Sequence, residues 1–253
     1  MSIKLRPLRL PDDYAPLAKP LNTHGSEPAT AERLQEDDTK LYEFGHTYMD
    51  ENGRLAGYDR TRYAAVNERD EIVGYVWSWR APWTEPGCLN HTLVVAEPYR
   101  KRGVGRLLAR HLAEWGSGLG ADTAVVEIWD DQPEALRFAG RFGLAIERHA
   151  FQSVLDLTRP SAEPAGTEDL LQELERDGIR FSTLADVPGE DSENKLYELY
   201  KLTLVDIPGF TGQVPPVDEW RKWHLQADGW APERVLLAVH DSRFVGVSNV
   251  LHH

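Results

Sequence analysis

Arg100-Lys101-Arg102-Gly103-Val104-Gly105 constrains this chain more than any other stretch. It lies between an apolar run, Leu93-Val94-Val95, and an amphipathic one, Leu107-Leu108-Ala109-Arg110-His111-Leu112. A strand that breaks into a glycine turn and then opens a helix leaves the first backbone N–H groups of that helix without helical acceptors. Those donors sit at the positive end of the helix dipole, where a pyrophosphate is favoured. Glycine at 103 and 105 lets a ligand approach the backbone, and the flanking cations add charge.

Two other phosphate-binding turns are excluded by the residues after Gly105. A Walker loop requires Gly-Lys-Ser/Thr, whereas Gly105 is succeeded by Arg106-Leu107. A dinucleotide turn requires a third glycine three positions after Gly105, where Leu108 stands. The pattern R-x-x-G-x-G after a strand ending Val95-Ala96-Glu97-Pro98-Tyr99 resembles the acyl-coenzyme A signature of the GNAT N-acetyltransferase superfamily.

Composition sets the context. The 253 residues fit one large or two smaller domains, and 41% hydrophobic with 27% charged residues is ordinary for a globular protein. The N-terminal Met1-Ser2-Ile3-Lys4-Leu5-Arg6 has no signal-peptide core and no apolar run is long enough for a membrane span, so a cytoplasmic protein is expected. Cys88 is the single cysteine, which excludes an intrachain disulfide and a cysteine-based zinc site; no metal is expected. A net charge of −13 disfavours nucleic acid and anionic membrane surfaces as partners, and suits either solubility or a cationic amine.

Along the chain, 3–8 reads as a strand, 11–18 and 30–37 as helices, and 62–67 with 71–79 as a hairpin turning through Glu68-Arg69-Asp70. A strand at 89–95 precedes the glycine turn. Val104, Leu107, Leu108, Leu112 and Trp115 then recur at helical spacing, and Gly116, Gly118 and Gly120 end that helix. A buried-type strand is expected at 124–129, a helix from Pro133 to Gly143, and a returning strand at 144–157.

Thr158 to Gly166 is rich in Pro, Ser, Ala and Gly and reads as a linker, followed by a short helix at 169–176. Beyond it the opening pattern recurs. Ile179 to Leu184 echoes Ile3 to Leu8, and Ala238 to Val247 echoes Ala65 to Tyr75, with Gly246 standing 172 positions after Gly74. The chain therefore divides into 1–157, a linker and short helix at 158–178, and a partial repeat at 179–253. By the Gly74-to-Gly103 spacing, a second glycine turn would fall near 275, beyond the sequence. The repeat is expected to lack a coenzyme site, and its last strand would leave an edge open to a second copy as a homodimer contact.

The resemblance, tightest over about 60–157, implies an α/β (α+β) GNAT fold: a splayed mixed sheet flanked by helices, here followed by a partial second copy. It implies acetyl-CoA as co-substrate and transfer to a primary amine of a small molecule or peptide. Backbone groups of Leu93, Val94 and Val95 would hold the pantetheine arm in the splay, with a Val94 amide as oxyanion donor. Arg100, and backbone N–H groups of Lys101, Arg102, Gly103, Val104, Gly105 and Arg106, would hold the pyrophosphate. The family pattern N-x-x-A-x-x-F-Y-x-x-x-G-F runs here from Gln132 through Ala135 and Phe138 to Gly143-Leu144. It places Gln132 where asparagine commonly contacts coenzyme A, and Ala139 where a tyrosine often protonates the leaving thiolate.

Attack on a thioester needs a neutral amine and a donor for the oxyanion. Glu127 matches the base position of some protein N-terminal acetyltransferases of this superfamily. On an alternating strand it shares a face with Val125 and Trp129, apolar surroundings that raise a carboxyl's pKa. His91, whose unperturbed pKa is near neutrality, is a second candidate base. Tyr75, Trp77 and Trp79 share one strand face and form either a substrate wall or core. Ala139 and the absent second glycine turn also admit a non-catalytic acyl-CoA-binding module.

Overall fold

The computed structural model describes residues 2–23, 28–41, 43–151, 153, 155–156, 158, 166–207, 210, 213–227 and 229–251. Contacts divide the chain into two units, Met1–Ala145 and Ile146–His253, a division that falls ahead of the 158–178 linker.

The first unit is built on a six-stranded sheet of order β1-β3-β4-β5-β6 with β2 added against β3. Its elements are β1 (Lys4–Pro7), α1 (Tyr14–Leu21), α2 (Ala31–Lys40), β2 (His46–Met49), β3 (Leu55–Val66), β4 (Ile72–Arg80), β5 (Cys88–Val95), α3 (Val104–Leu119), β6 (Thr123–Val126) and α4 (Pro133–Arg141). The strands pair antiparallel except β5 with β6, which are parallel. The α3 crossover between them is what a parallel pair requires.

The core on one sheet face is Ala65, Val73, Val76, Val104, Leu108 and Leu112, with Leu93 and Val95 packed against it. The apolar stripe of α3 supplies its helical half, and full burial of a side chain such as Leu108 is worth about 1.5–3 kcal/mol. On the opposite face α1 buries Tyr14, Leu17 and Ala18, whereas α2 buries none of its residues fully. Polar bonds hold α2 instead. The Arg62 guanidinium donates to both Asp38 oxygens at 2.6 and 2.8 Å, and the Tyr14 hydroxyl donates to Asp38 Oδ2 at 2.6 Å. Burial and the neighbouring Asp38 carboxylate push the Tyr14 hydroxyl up to about 12.

Arg80, 1% exposed, knits the end of the sheet away from the glycine turn. It donates to the carbonyls of Gly57 and Leu55 at 2.8 Å and of Cys88 and Thr84 at 3.2 Å. This fixes the loop after β4 and the start of β5. Cys88 opens β5 as a buried residue whose N–H donates to the Glu85 carbonyl at 3.0 Å across the Pro86-Gly87 turn, and burial pushes its thiol pKa up.

Two sequence expectations are corrected here. The strand expected at 124–129 ends at Val126, and no described residue of 144–157 is in a strand. In the latter segment Arg148 falls on the alternating face of Leu144 and Ile146, which denies a strand a continuous apolar side. Ile146, Phe151 and Leu155 are 65, 93 and 70% exposed.

The second unit comprises α5 (Thr167–Arg176), β7 (Arg180–Thr183), α6 (Glu190–Leu204), α7 (Val217–His224), β8 (Val235–His240) and β9 (Arg243–Asn249). Its antiparallel sheet runs β7-β8-β9 over a core of Leu184, Leu196, Trp220, Val235 and Leu237. The order strand, two helices, hairpin matches the opening of the first unit. So does a detail of register: Ala65 pairs with Gly74 and Ala238 with Gly246, and each hairpin shifts register at the next residue.

Candidate active site

The site begins where β5 and β6 part. β4 follows β5 from Asn90 to Val95, but β6 follows it only from Cys88 to His91. Beyond His91 the β6 side of β5 has no strand partner among the described residues. The Ala96 N–H donates to the Val73 carbonyl at 2.9 Å, which fixes the alternation of the antiparallel ladder. By that period the N–H and C=O of Val94 are used on Tyr75. The backbones of Leu93 and Val95 face the opening. The Val94 amide, expected as the oxyanion donor, is therefore already bonded within the sheet.

The chain then turns at Glu97–Tyr99, and the Arg100 Nε donates to the Val95 carbonyl at 3.1 Å, tying the turn to the strand end. Lys101 (φ 60°) and Gly103 (φ 87°) both adopt left-handed backbone conformations. Gly103 is the N-cap of α3 and brings no side-chain acceptor, so the first-turn N–H groups of the helix are left for something else. Gly105 packs closely against α4: a Cβ there would stand 3.2 Å from the Phe138 ring. Val104 is buried, while Arg102 and Arg106 are exposed.

α4 is drawn to the same place. Lys101 Nζ pairs with Glu134 at 2.8 Å, and that bond holds the Glu134 carboxyl below its usual range. Gln132 is the N-cap of α4; its carbonyl accepts from Ala135 and Leu136, and its side chain makes no capping bond. The two helix N-termini, the glycine turn and the open edge of β5 thus converge. Ala139 is half-buried within α4 and offers no proton.

The two candidate bases fare differently. Glu127 lies one residue past β6 and is exposed, so the apolar strand setting expected for it is absent. His91 is on β5 between Leu89 and Leu93, the face covered by α3. Burial lowers its pKa to about 4, and its Nδ1 is buried without a partner. His91 is therefore neutral at pH 7. On the other face Trp77 and Trp79 stand 6.0 Å apart beside buried Tyr75. Among the described residues, no three His, Cys, Asp or Glu side chains are placed to hold a metal ion, and no helix is long and apolar enough to cross a membrane.

The site is thus a mixed sheet with flanking helices, parted beside a glycine turn that leads an uncapped helix. Residues 27–144 match the model of the acetyltransferase (GNAT) family. That match lies within the first unit. A mycothiol acetyltransferase of Mycolicibacterium smegmatis is 28% identical over 185 residues, covering 72% of this chain and 50% of that protein. The chain thus spans about half the length of that relative. A GCN5-related N-acetyltransferase from Sphaerobacter thermophilus superposes with a TM-score of 0.63 at 19% identity, covering 99% of this chain and 72% of that one, a likeness of fold.

Proposed function

We propose that the first unit transfers an acetyl group from acetyl-CoA to a primary amine of a small molecule or peptide. The observation that carries this reading is the parting of β5 from β6 beside the uncapped N-terminus of α3. Acetyl-CoA brings an activated acyl group and a thiolate leaving group. The first-turn N–H groups of α3 bind its pyrophosphate, helped by the dipole and by Arg102 and Arg106. Leu93 and Val95 offer backbone groups to the extended arm, and an open-side amide polarises the acyl carbonyl. A neutral His91 and an exposed Glu127 are the bases at hand; solvent through the exposed Glu127 side is the simpler route for the amine proton.

The repeated hairpin register supports a second reading of the whole chain, in which the second unit repeats the opening strands and helices of the first.

The test is release of free thiol from acetyl-CoA with a panel of amines; the relative's name puts mycothiol-type acceptors on that panel. Turnover with any of them, abolished in Gly105→Glu, is expected. Tight acetyl-CoA binding with no turnover on the whole panel would favour the non-catalytic module that Ala139 suggests. Unaltered binding in Gly105→Glu would remove the glycine turn from the reading altogether.

A further inference from the structure

The α3-facing side of β4 runs Gly74, Val76, Ser78, Arg80, and Ser78 is its odd member. Arg80 spends its guanidinium on carbonyls, whereas Ser78, 0% exposed, has an Oγ with no hydrogen-bond partner among the described residues. Directly across on β5 stands His91, the register partner of Ser78, so both side chains leave the sheet on the same face. The His91 Nδ1 is also buried and, among the described residues, also unpartnered. Two residues in direct cross-strand register therefore each bury one polar atom that no other side chain or backbone group meets.

Left so, each atom would lower the folding equilibrium by on the order of tenfold or more, because it gives up its bonds to water for nothing. Valine at 78 would simply continue Val76, and leucine at 91 would continue Leu89 and Leu93. Buried polar groups in folded proteins are met by protein or by ordered water, and here protein does not supply the partner. An ion fits poorly. Arg80 is committed to carbonyls and cannot offset a buried anion, and among the described residues no three ligating side chains gather for a metal. A neutral molecule that both donates and accepts fits well, since a hydroxyl and a neutral imidazole nitrogen each need one or the other. Small residues give it room: Gly116, buried on α3, lies against Leu89, two residues before His91 on the same face.

We infer that a single water molecule is a built-in part of the first unit, held between Ser78 Oγ and His91 Nδ1, and that Ser78 acts through it as the positioning residue of the His91 ring. The bridge crosses from β4 to β5 at the pair His91 and Val126, the last rung that β5 shares with β6. It therefore fixes the imidazole where the sheet begins to part, and the bond made at Nδ1 decides which ring nitrogen carries the proton. This site stands whether or not the first unit transfers acetyl groups.

The experiment joins a crystal structure of the full chain, at a resolution that shows ordered water, to urea unfolding and ring nitrogen NMR. Density for one water within about 2.7–3.2 Å of both atoms is expected. Ser78→Val and His91→Leu each orphan the other atom and should each lower the folding equilibrium constant by about tenfold or more. The double variant removes both polar atoms together and should return to within about threefold of the native chain. The nitrogen shifts of His91 give a readout that packing alone would not move. One tautomer should dominate in the native chain and in Ser78→Thr, which keeps the hydroxyl, and a mixture should appear in Ser78→Ala. A direct bond from Ser78 to His91 with no water between them, losses that simply multiply in the double variant, or ring shifts unchanged in Ser78→Ala would each overturn the bridge. Should Ser78→Val fail to fold, the crystal structure and the Ser78→Ala shifts still decide.

Discussion

Arg80 and His91 show how differently two buried polar residues behave at the scale of a single side chain. Arg80 satisfies four carbonyls at once, and only a planar fork with five donors can do so. Arg80→Lys should cost about 2–3 kcal/mol in urea unfolding, because each carbonyl orphaned in the interior carries a desolvation penalty. His91 instead carries an unpartnered Nδ1 and a pKa of about 4. Its folded pKa lies below its unfolded one, so between pH 6.5 and 4 the unfolded chain binds the proton more readily. Stability is then full above pH 6.5 and falls as the pH drops through that window, by on the order of 2–3 kcal/mol in all. His91→Leu should flatten that slope in pH-dependent melting, and an equally steep slope in the variant would assign it elsewhere. Neither residue's surroundings could be read from the sequence. Arg80 follows a run of strand residues with nothing to mark it as buried, and His91 gave no sign of which strand face α3 covers.

Among the elements, α2 buries no residue fully and is tied to its neighbours by one carboxylate. Asp38 accepts from Arg62 on β3 and from Tyr14 on α1, joining three elements. Asp38→Asn keeps the shape but removes the charge and half the acceptors, leaving a buried guanidinium poorly matched. We expect the amides of 31–40 to lose hydrogen-exchange protection by about tenfold or more, while those of β4 hold; a uniform loss across the sheet would mean that Asp38 stabilises the whole unit instead. The same contrast explains which elements were legible beforehand. α3 announced itself through Val104, Leu108 and Leu112 at helical spacing, and the glycine turn through residue types that few other structures need. β2 went unread because His46–Met49 is short and mixed, and gains its strand form only by pairing with β3. The extent of β6 was misread because Ile128 and Trp129 continue an apolar pattern beyond the last rung that β6 shares with β5.

For the whole molecule, two separate cores mean two separate sensitivities. Leu108 is fully buried in the first and Leu237 1% exposed in the second. Truncating either to alanine should cost about 2–5 kcal/mol. Calorimetry should show Leu237→Ala lowering the melting of the second unit while acetyl-CoA affinity, read by titration, stays within about twofold. A large loss of affinity in that variant would show that the second unit supports the first.

The parting of β5 from β6 has a consequence for folding as well as for binding. Leu93 presents a main-chain donor and acceptor and Val95 its N–H in strand conformation, and any extended ligand that meets them continues the ladder as though it were polypeptide. Such a ligand becomes a component of the sheet, so its concentration sets how firmly the sheet's middle is closed. At one hundred times its dissociation constant it would add about 2.7 kcal/mol to the native state. The slowing of exchange should centre on the amides of Leu93 and Val95, while that of Val94, already bonded within the sheet, should hardly change. In that sense an extended ligand at this edge would complete the secondary structure of the first unit.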